Sequence, residues 1–132
     1  MVMEAEDWTA FTPIESERAI TNAKNYMGEA FRELKAAREA ELEAKKAERR
    51  ARTTAILGGN CPKVTRGGFT TAERDAWVER QTLDVLEALD AAVVVRENAA
   101  DHLRVVREQA SLVQSRHKSV MQAYQTAGVG ER

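Results

Sequence analysis

The sequence predicts an all-α fold: an antiparallel hairpin of two long helices that oligomerises into a four-helix bundle or coiled coil. Three observations carry that prediction. First, Thr70 to Ala127 contains neither proline nor glycine and is rich in Ala, Glu, Arg and Leu. It reads as one uninterrupted helix, a rod of roughly 80–90 Å at ~1.5 Å per residue. Second, its apolar positions step by four and three through Val78, Val85, Leu89, Ala92, Ala99, Leu103, Val106, Ala110, Val113, His117, Val120 and Tyr124. That spacing is the seam of a helix packed lengthwise on other helices. Third, the only break downstream of Pro13 is the stretch 57–69, LGGNCPKVTRGGF, whose Gly-Gly pairs and proline permit the chain to reverse.

Charge agrees with that reversal. Lys35 to Arg52 is basic and would face the acidic start of the second helix, with Glu73, Asp75, Glu79, Asp84, Glu87 and Asp90. The acidic N-terminal third would meet Arg104, Arg107, Arg116 and Lys118. Each exposed pair is worth only about 0–1 kcal/mol, but the pattern favours antiparallel pairing.

Taken in order, residues 1–12 form an acidic segment carrying Trp8 and Phe11, either folded back onto apolar surface or acting as a docking peptide for a partner groove. Thr12-Pro13-Ile14-Glu15 supplies a capping box with proline in the first turn, opening a helix over 13–56. Its large apolar residues Ile20, Phe31 and Leu42 recur every eleven positions, with Ala23, Met27 and Leu34 between them. This predicts a nearly straight stripe in place of a strict heptad. Gly28 costs about 1 kcal/mol against Ala in mid-helix and so marks a point of close approach. Beyond Lys35, Ala36, Ala37, Ala40, Ala44, Ala47 and Ala51 replace the large residues and let a neighbour come close, while Glu41–Lys45 and Glu48–Arg52 support the helix at i,i+4. Within the loop 57–69, Lys63 to Arg66 is a short β-excursion and Cys61 is exposed. Thr70-Thr71-Ala72-Glu73 caps the second helix, 70–127; Gly128 stops it, and 128–132 is a tail. The helical domain thus occupies 13–127.

Composition narrows the function. Charged residues make up 31% of the chain, aromatic residues 5%, and the net charge is −1, which is the vocabulary of long helices with no global attraction to nucleic acid or membranes. One cysteine rules out an internal disulfide framework and suits a reducing compartment. No apolar run approaches the ~20 residues of a membrane span, and Glu4, Glu6 and Asp7 do not suit a signal peptide. A cytoplasmic location is the expectation.

No catalytic, cofactor or metal site is expected. His102 and His117 are the only histidines, and the residues three before them, Ala99 and Gln114, exclude ExxH and HExxH spacings. His117 and Arg96 lie in the seam as register-setting polar groups, Arg96 with an acidic neighbour to pair with. Ser111, Ser115 and Ser119 are ordinary helix positions, and the loop glycines match neither GxxxxGK[ST] nor GxGxxG.

What remains is surface. Leu86, Leu89, Val93, Val94 and Val95 wrap more than one face of the second helix. A lone hairpin would leave several of them wet, at about 1.5–3 kcal/mol per large side chain, so a second copy or another partner is expected over Leu86, Leu89 and Val93. Lys45, Lys46, Arg49, Arg50, Arg52, Lys63, Arg66 and Arg74 gather at the turn and suit a nucleic-acid backbone, with Phe69 and Trp77 as stacking surface. Part of this charge is expected to be answered by Asp75, Glu79, Asp84 and Glu87.

An Ala- and Lys/Arg-rich helix (Ala36 to Arg52), a short loop, then Thr70, Glu73 and Arg74 opening a helix that runs on to Tyr124 resembles a group of short proteins encoded by bacteriophages and prophages. Their genes sit in early regions beside single-strand annealing and single-strand-binding proteins. The resemblance implies a non-catalytic role around phage DNA recombination, replication or host takeover, with a phage or host protein as partner, and it supplies no catalytic residues. Secreted WXG-type hairpins are also dimerising helix pairs, but the turn here has Gly58-Gly59 and Gly67-Gly68 without Trp-x-Gly, and Tyr124 is followed by Gly128 where an acid belongs. Direct nucleic-acid binding at the tip, and a virion or scaffold role for oligomerising helices, are the alternatives.

Overall fold

The computed structural model describes residues 12–130, so Trp8 and Phe11 lie outside the described residues. Three helices account for nearly all of it: α1 (Pro13–Leu57), α2 (Thr71–Gln81) and α3 (Leu83–Gly130). Contacts divide the described chain into two compact units, one from residues 12–35 and 98–130, the other from Ala36–Glu97. In each, α1 packs on α3.

Both predicted helix starts form. At α1 the Glu15 amide donates to Thr12 Oγ1 at 3.3 Å and the Thr12 amide donates to the Glu15 carboxylate at 3.1 Å, a complete capping box. At α2 the Glu73 amide donates to Thr70 Oγ1 at 3.2 Å. Between α1 and α2, the Gly68 amide closes a turn on the Thr65 carbonyl at 3.0 Å, with Gly67 at φ 86°, a conformation that only glycine adopts without strain. An isolated bridge between Val64 and Phe69 is all that the predicted β-excursion amounts to. Cys61 is half-buried, not exposed as expected, with its thiol 3.7 Å from the Pro62 carbonyl.

Four expectations are corrected. The helix predicted over 70–127 is interrupted at Thr82, where φ −112° and ψ 15° leave the helical region. The Thr82 amide is shared between the carbonyls of Val78 and Glu79, and its buried hydroxyl donates to Val78 O at 2.8 Å. A hydroxyl competing for the carbonyl four residues back distorts a helix without proline or glycine. Second, Gly128 does not end the last helix, which continues to Gly130. Third, Gly28 is no close-approach point: a Cβ there would meet only the flexible end of Arg32, at 3.5 Å.

The fourth correction concerns the core. The stripe spaced by eleven is not the buried one, since Phe31 and Leu42 are 51% and 50% exposed. The buried and half-buried line of α1 is instead Ser16, Ile20, Ala23, Met27, Ala30, Leu34, Ala37, Glu41, Ala44, Glu48, Ala51 and Ala55, a strict alternation of four and three. The predicted line from Val78 to Val120 is buried or half-buried throughout, joined by Thr82 and Arg96 at the same spacing, while Tyr124 is exposed. In the first unit Ala30 and Leu34 pack with Leu103 and Val106, and Ala23 packs with Ala110 and Val113. Cross-helix pairs there run in opposite order along the two helices, Ser16 with His117 and Glu33 with His102, so α1 and α3 are antiparallel.

Two substitutions separate this core from the one large residues alone suggest. Ala30→Leu forces extra methylenes into the seam and lowers stability by about 1–3 kcal/mol. Gly28→Ala meets no neighbour that cannot move and raises it by about 0.4–1 kcal/mol. Urea denaturation of both variants checks the pair, and a stabilising Ala30→Leu would refute the small-residue seam.

Candidate functional site

Among the described residues, each unit holds a polar contact across the seam. In the first unit Ser16 Oγ and His117 Nδ1 share a hydrogen bond of 2.7 Å. A serine on a histidine nitrogen is the beginning of a nucleophile–base pair. Here Ser16 is 1% exposed and, among the described residues, no carboxylate bonds to His117. The contact ties α1 to α3 at one level. His102, also in this unit, pairs with Glu33 at 3.2 Å on the surface.

In the second unit Arg96 Nε donates to Glu41 Oε2 at 2.8 Å, and Lys45 reaches the other carboxylate oxygen at 3.3 Å. Glu41 is buried in the α1 line and Arg96 half-buried in that of α3. The Arg96 hydrogen bond holds the Glu41 carboxyl below its ordinary value of 4.5, against the opposing pull of burial and with help from Lys45. Glu41 in turn raises Arg96. Arg96 thus finds its acidic neighbour within the same chain.

The other charge matches expected around the turn are not made as ion pairs among the described residues. Asp75 pairs with its neighbour Arg74 at 3.5 Å, and Glu79, Asp84 and Glu87 bond to no residue of α1. Lys46 bonds Glu43 on its own helix at 3.4 Å, while Arg49, Arg50, Arg52, Lys63 and Arg66 are exposed and form no ion pair among the described residues. In the first unit Arg104 pairs with Asp101 on its own helix, and Arg107 stacks 5.4 Å above the Phe31 ring. The predicted basic residues all lie in the Ala36–Glu97 unit, and the charge of Arg49, Arg50, Arg52, Lys63 and Arg66 is left to solvent among the described residues. Of the proposed stacking groups Phe69 is exposed and Trp77 half-buried.

The predicted apolar surface also divides. Leu86, Leu89 and Val93 are half-buried, while Leu83, Val94 and Val95 are 51%, 53% and 57% exposed. The surplus apolar face thus centres one step further round α3 than expected. Among the described residues no group of His, Cys, Asp and Glu is arranged to hold a metal ion, and no helix is long and apolar enough to cross a membrane. Ser16, Glu41 and Thr82 escaped the sequence reading because each is a polar residue in a position that spacing alone assigns to the seam.

The Glu41–Arg96 pair sets a pH dependence. A carboxyl held low contributes stability that is present above its unfolded value and lost as pH falls through the lowered one. Urea unfolding followed from about pH 6 to about pH 3 should show a component below 4.5 that Glu41→Gln removes. Arg96→Leu alone should cost more than the double change Glu41→Leu/Arg96→Leu, because the single change strands a buried carboxylate. Equal costs would refute that role. Comparison with protein-family models, with curated proteins and with solved structures returns no match.

Proposed function

We propose that this chain is a non-catalytic interaction protein, a helical hairpin whose Ala36–Glu97 unit engages a protein partner, in the setting of phage DNA recombination, replication or host takeover that the sequence resemblance implies. The observation that supports it is apolar surface left over after the seam is filled: Leu83, Val94 and Val95 are more than half exposed although the adjoining a/d line is already packed. Val94 and Val95 are adjacent and Leu83 lies about three turns earlier, and exposed large apolar side chains on a helix are the anchors that helix-in-groove and helix-on-helix recognition uses. The test is affinity capture with the tagged chain, wild type against Val94→Asp/Val95→Asp, which changes exposed positions and leaves the seam intact. Recovery of a discrete partner by the wild type and its loss in the variant is the expected result. Capture that is equal for both chains, or absent for both, refutes the reading.

A second reading rests on Arg49, Arg50, Arg52, Lys63 and Arg66, whose exposed charge has no acidic partner among the described residues. These residues suit the phosphates of a nucleic acid. Fluorescence anisotropy with short single- and double-stranded DNA should then show affinity falling steeply with salt, with the logarithmic slope reduced by about 0.7–0.9 for each phosphate contact removed in Arg49→Ala or Arg50→Ala. Binding that ignores salt, or no binding, removes this second reading.

A further inference from the structure

Two exposed lines in the Ala36–Glu97 unit have matching spacing and opposite charge. On α1 the residues directly opposite the seam are Leu42, Lys46, Arg49, Thr53 and Ile56; on α3 they are Leu83, Glu87, Asp90, Val94 and Glu97. Every one of these positions is exposed, and both lines step by four, three, four and three. Run antiparallel, they place Leu42 against Val94, Lys46 against Asp90, Arg49 against Glu87, and Thr53 against Leu83. Within one copy these lines cannot meet, because each faces away from the seam.

We propose that the α3 line of one copy docks on the α1 line of a second copy of this chain. The inference rests on the protein-interaction reading above and names a partner for it. Its register follows from the fold. Inside each copy the Glu41–Arg96 contact sets residues 41 and 96 at one level, with α1 and α3 antiparallel. A second copy laid alongside in the same orientation, without sliding along the helix axis, brings position 42 level with 94, 46 with 90 and 49 with 87. Glu87 and Asp90 have no ion pair among the described residues, Arg49 has none, and Lys46 holds only an exposed contact with Glu43. All four charges are therefore available to a neighbour. The two patches are different surfaces, so the contact is heterologous and each added copy presents a fresh line to the next. The product is a row of copies and not a closed pair.

A mixing experiment tests this. One chain carries Lys46→Glu/Arg49→Glu, which spoils its α1 line and keeps its α3 line; the other carries Glu87→Lys/Asp90→Lys, the reverse. All four substitutions are at exposed helix positions, and circular dichroism melts confirm that both chains fold. Mass is measured by light scattering at about 0.1 M and about 0.5 M salt, since exposed pairs weaken as the Debye length shortens. The wild type should rise above its 14.7 kDa monomer with concentration at low salt and fall back at high salt. Each variant alone should stay monomeric, because its two lines then carry like charge. The equimolar mixture should rise above 14.7 kDa as the wild type does, because intact lines meet intact lines and reversed lines meet reversed lines of opposite sign. A wild type that is monomeric throughout overturns the proposal, as does a closed dimer indifferent to salt. A variant that self-associates as the wild type does overturns it as well, and so does a mixture that stays monomeric. A monomeric wild type that shifts only with added DNA overturns self-docking and supports the nucleic-acid reading. Capture of a different protein by a monomeric wild type would leave the protein-interaction reading standing while removing self-docking.

Discussion

Close approach of α1 to α3 is the constraint on which the rest depends. Ala23, Ala30, Ala37 and Ala110 are among the most buried residues in the chain, and a methyl group fills little space. Helices that meet through alanine must come near one another, and dispersion contacts between their backbones then replace those of long side chains. The larger residues are correspondingly displaced. Phe31 stands at the flank of the seam with Arg107 over its ring, and Leu42 is turned to the far side. Leucines and valines return to the a/d positions mainly on α3, at Leu103, Val106 and Val113, opposite the alanines of α1.

A seam built this way has little intrinsic register. Alanines facing a repeating row of valine and leucine look much the same after a slip of one heptad, so such a face specifies adjacency better than it specifies level. The polar contacts supply what the alanines lack. A slip would strand buried Glu41 without its guanidinium and the fully buried Ser16 hydroxyl without the His117 nitrogen. Their worth is the cost of being misplaced, which for a buried charge exceeds any net gain from the pair itself. Each unit has one such contact, so each has its own means of fixing the level of its two helices.

This explains what the sequence made legible. Helix starts were readable at Thr12 and Thr70, because capping is local chemistry at fixed spacing. The α3 seam was readable because valine and leucine mark it. The α1 seam was not: weighting by size drew the stripe through Ile20, Phe31 and Leu42, and the alternation became visible only when Ser16, Glu41 and Glu48 were admitted as seam residues. The break at Thr82 was hidden for a similar reason, as its cause is a side-chain hydroxyl in an otherwise favourable helical stretch. The expected neutralisation of the basic residues across the helices rests on gross charge, which fixes neither side-chain reach nor direction. Leu86, Leu89 and Val93 are half-buried while Val94 and Val95 face outward, a difference that size and spacing alone did not separate. Trp8 and Phe11 fall outside the described residues.

A net charge of −1 conceals a strong separation. In the Ala36–Glu97 unit positive charge collects on the far half of α1 and the loop, and negative charge on the outward face of α2 and early α3. Whatever binds Arg49 and Lys46, whether phosphates or the carboxylates of another copy, must use the same ammonium and guanidinium groups. The two modes are therefore linked. An anionic polymer on the α1 line would exclude a neighbouring α3 line, and by thermodynamic reciprocity the proposed assembly of copies would weaken binding of that polymer to the same degree. Lys63 and Arg66 lie beyond the matched positions and would stay free of that competition. A nucleic acid held only by them would tolerate assembly, whereas one that reaches Arg49 would dissolve it.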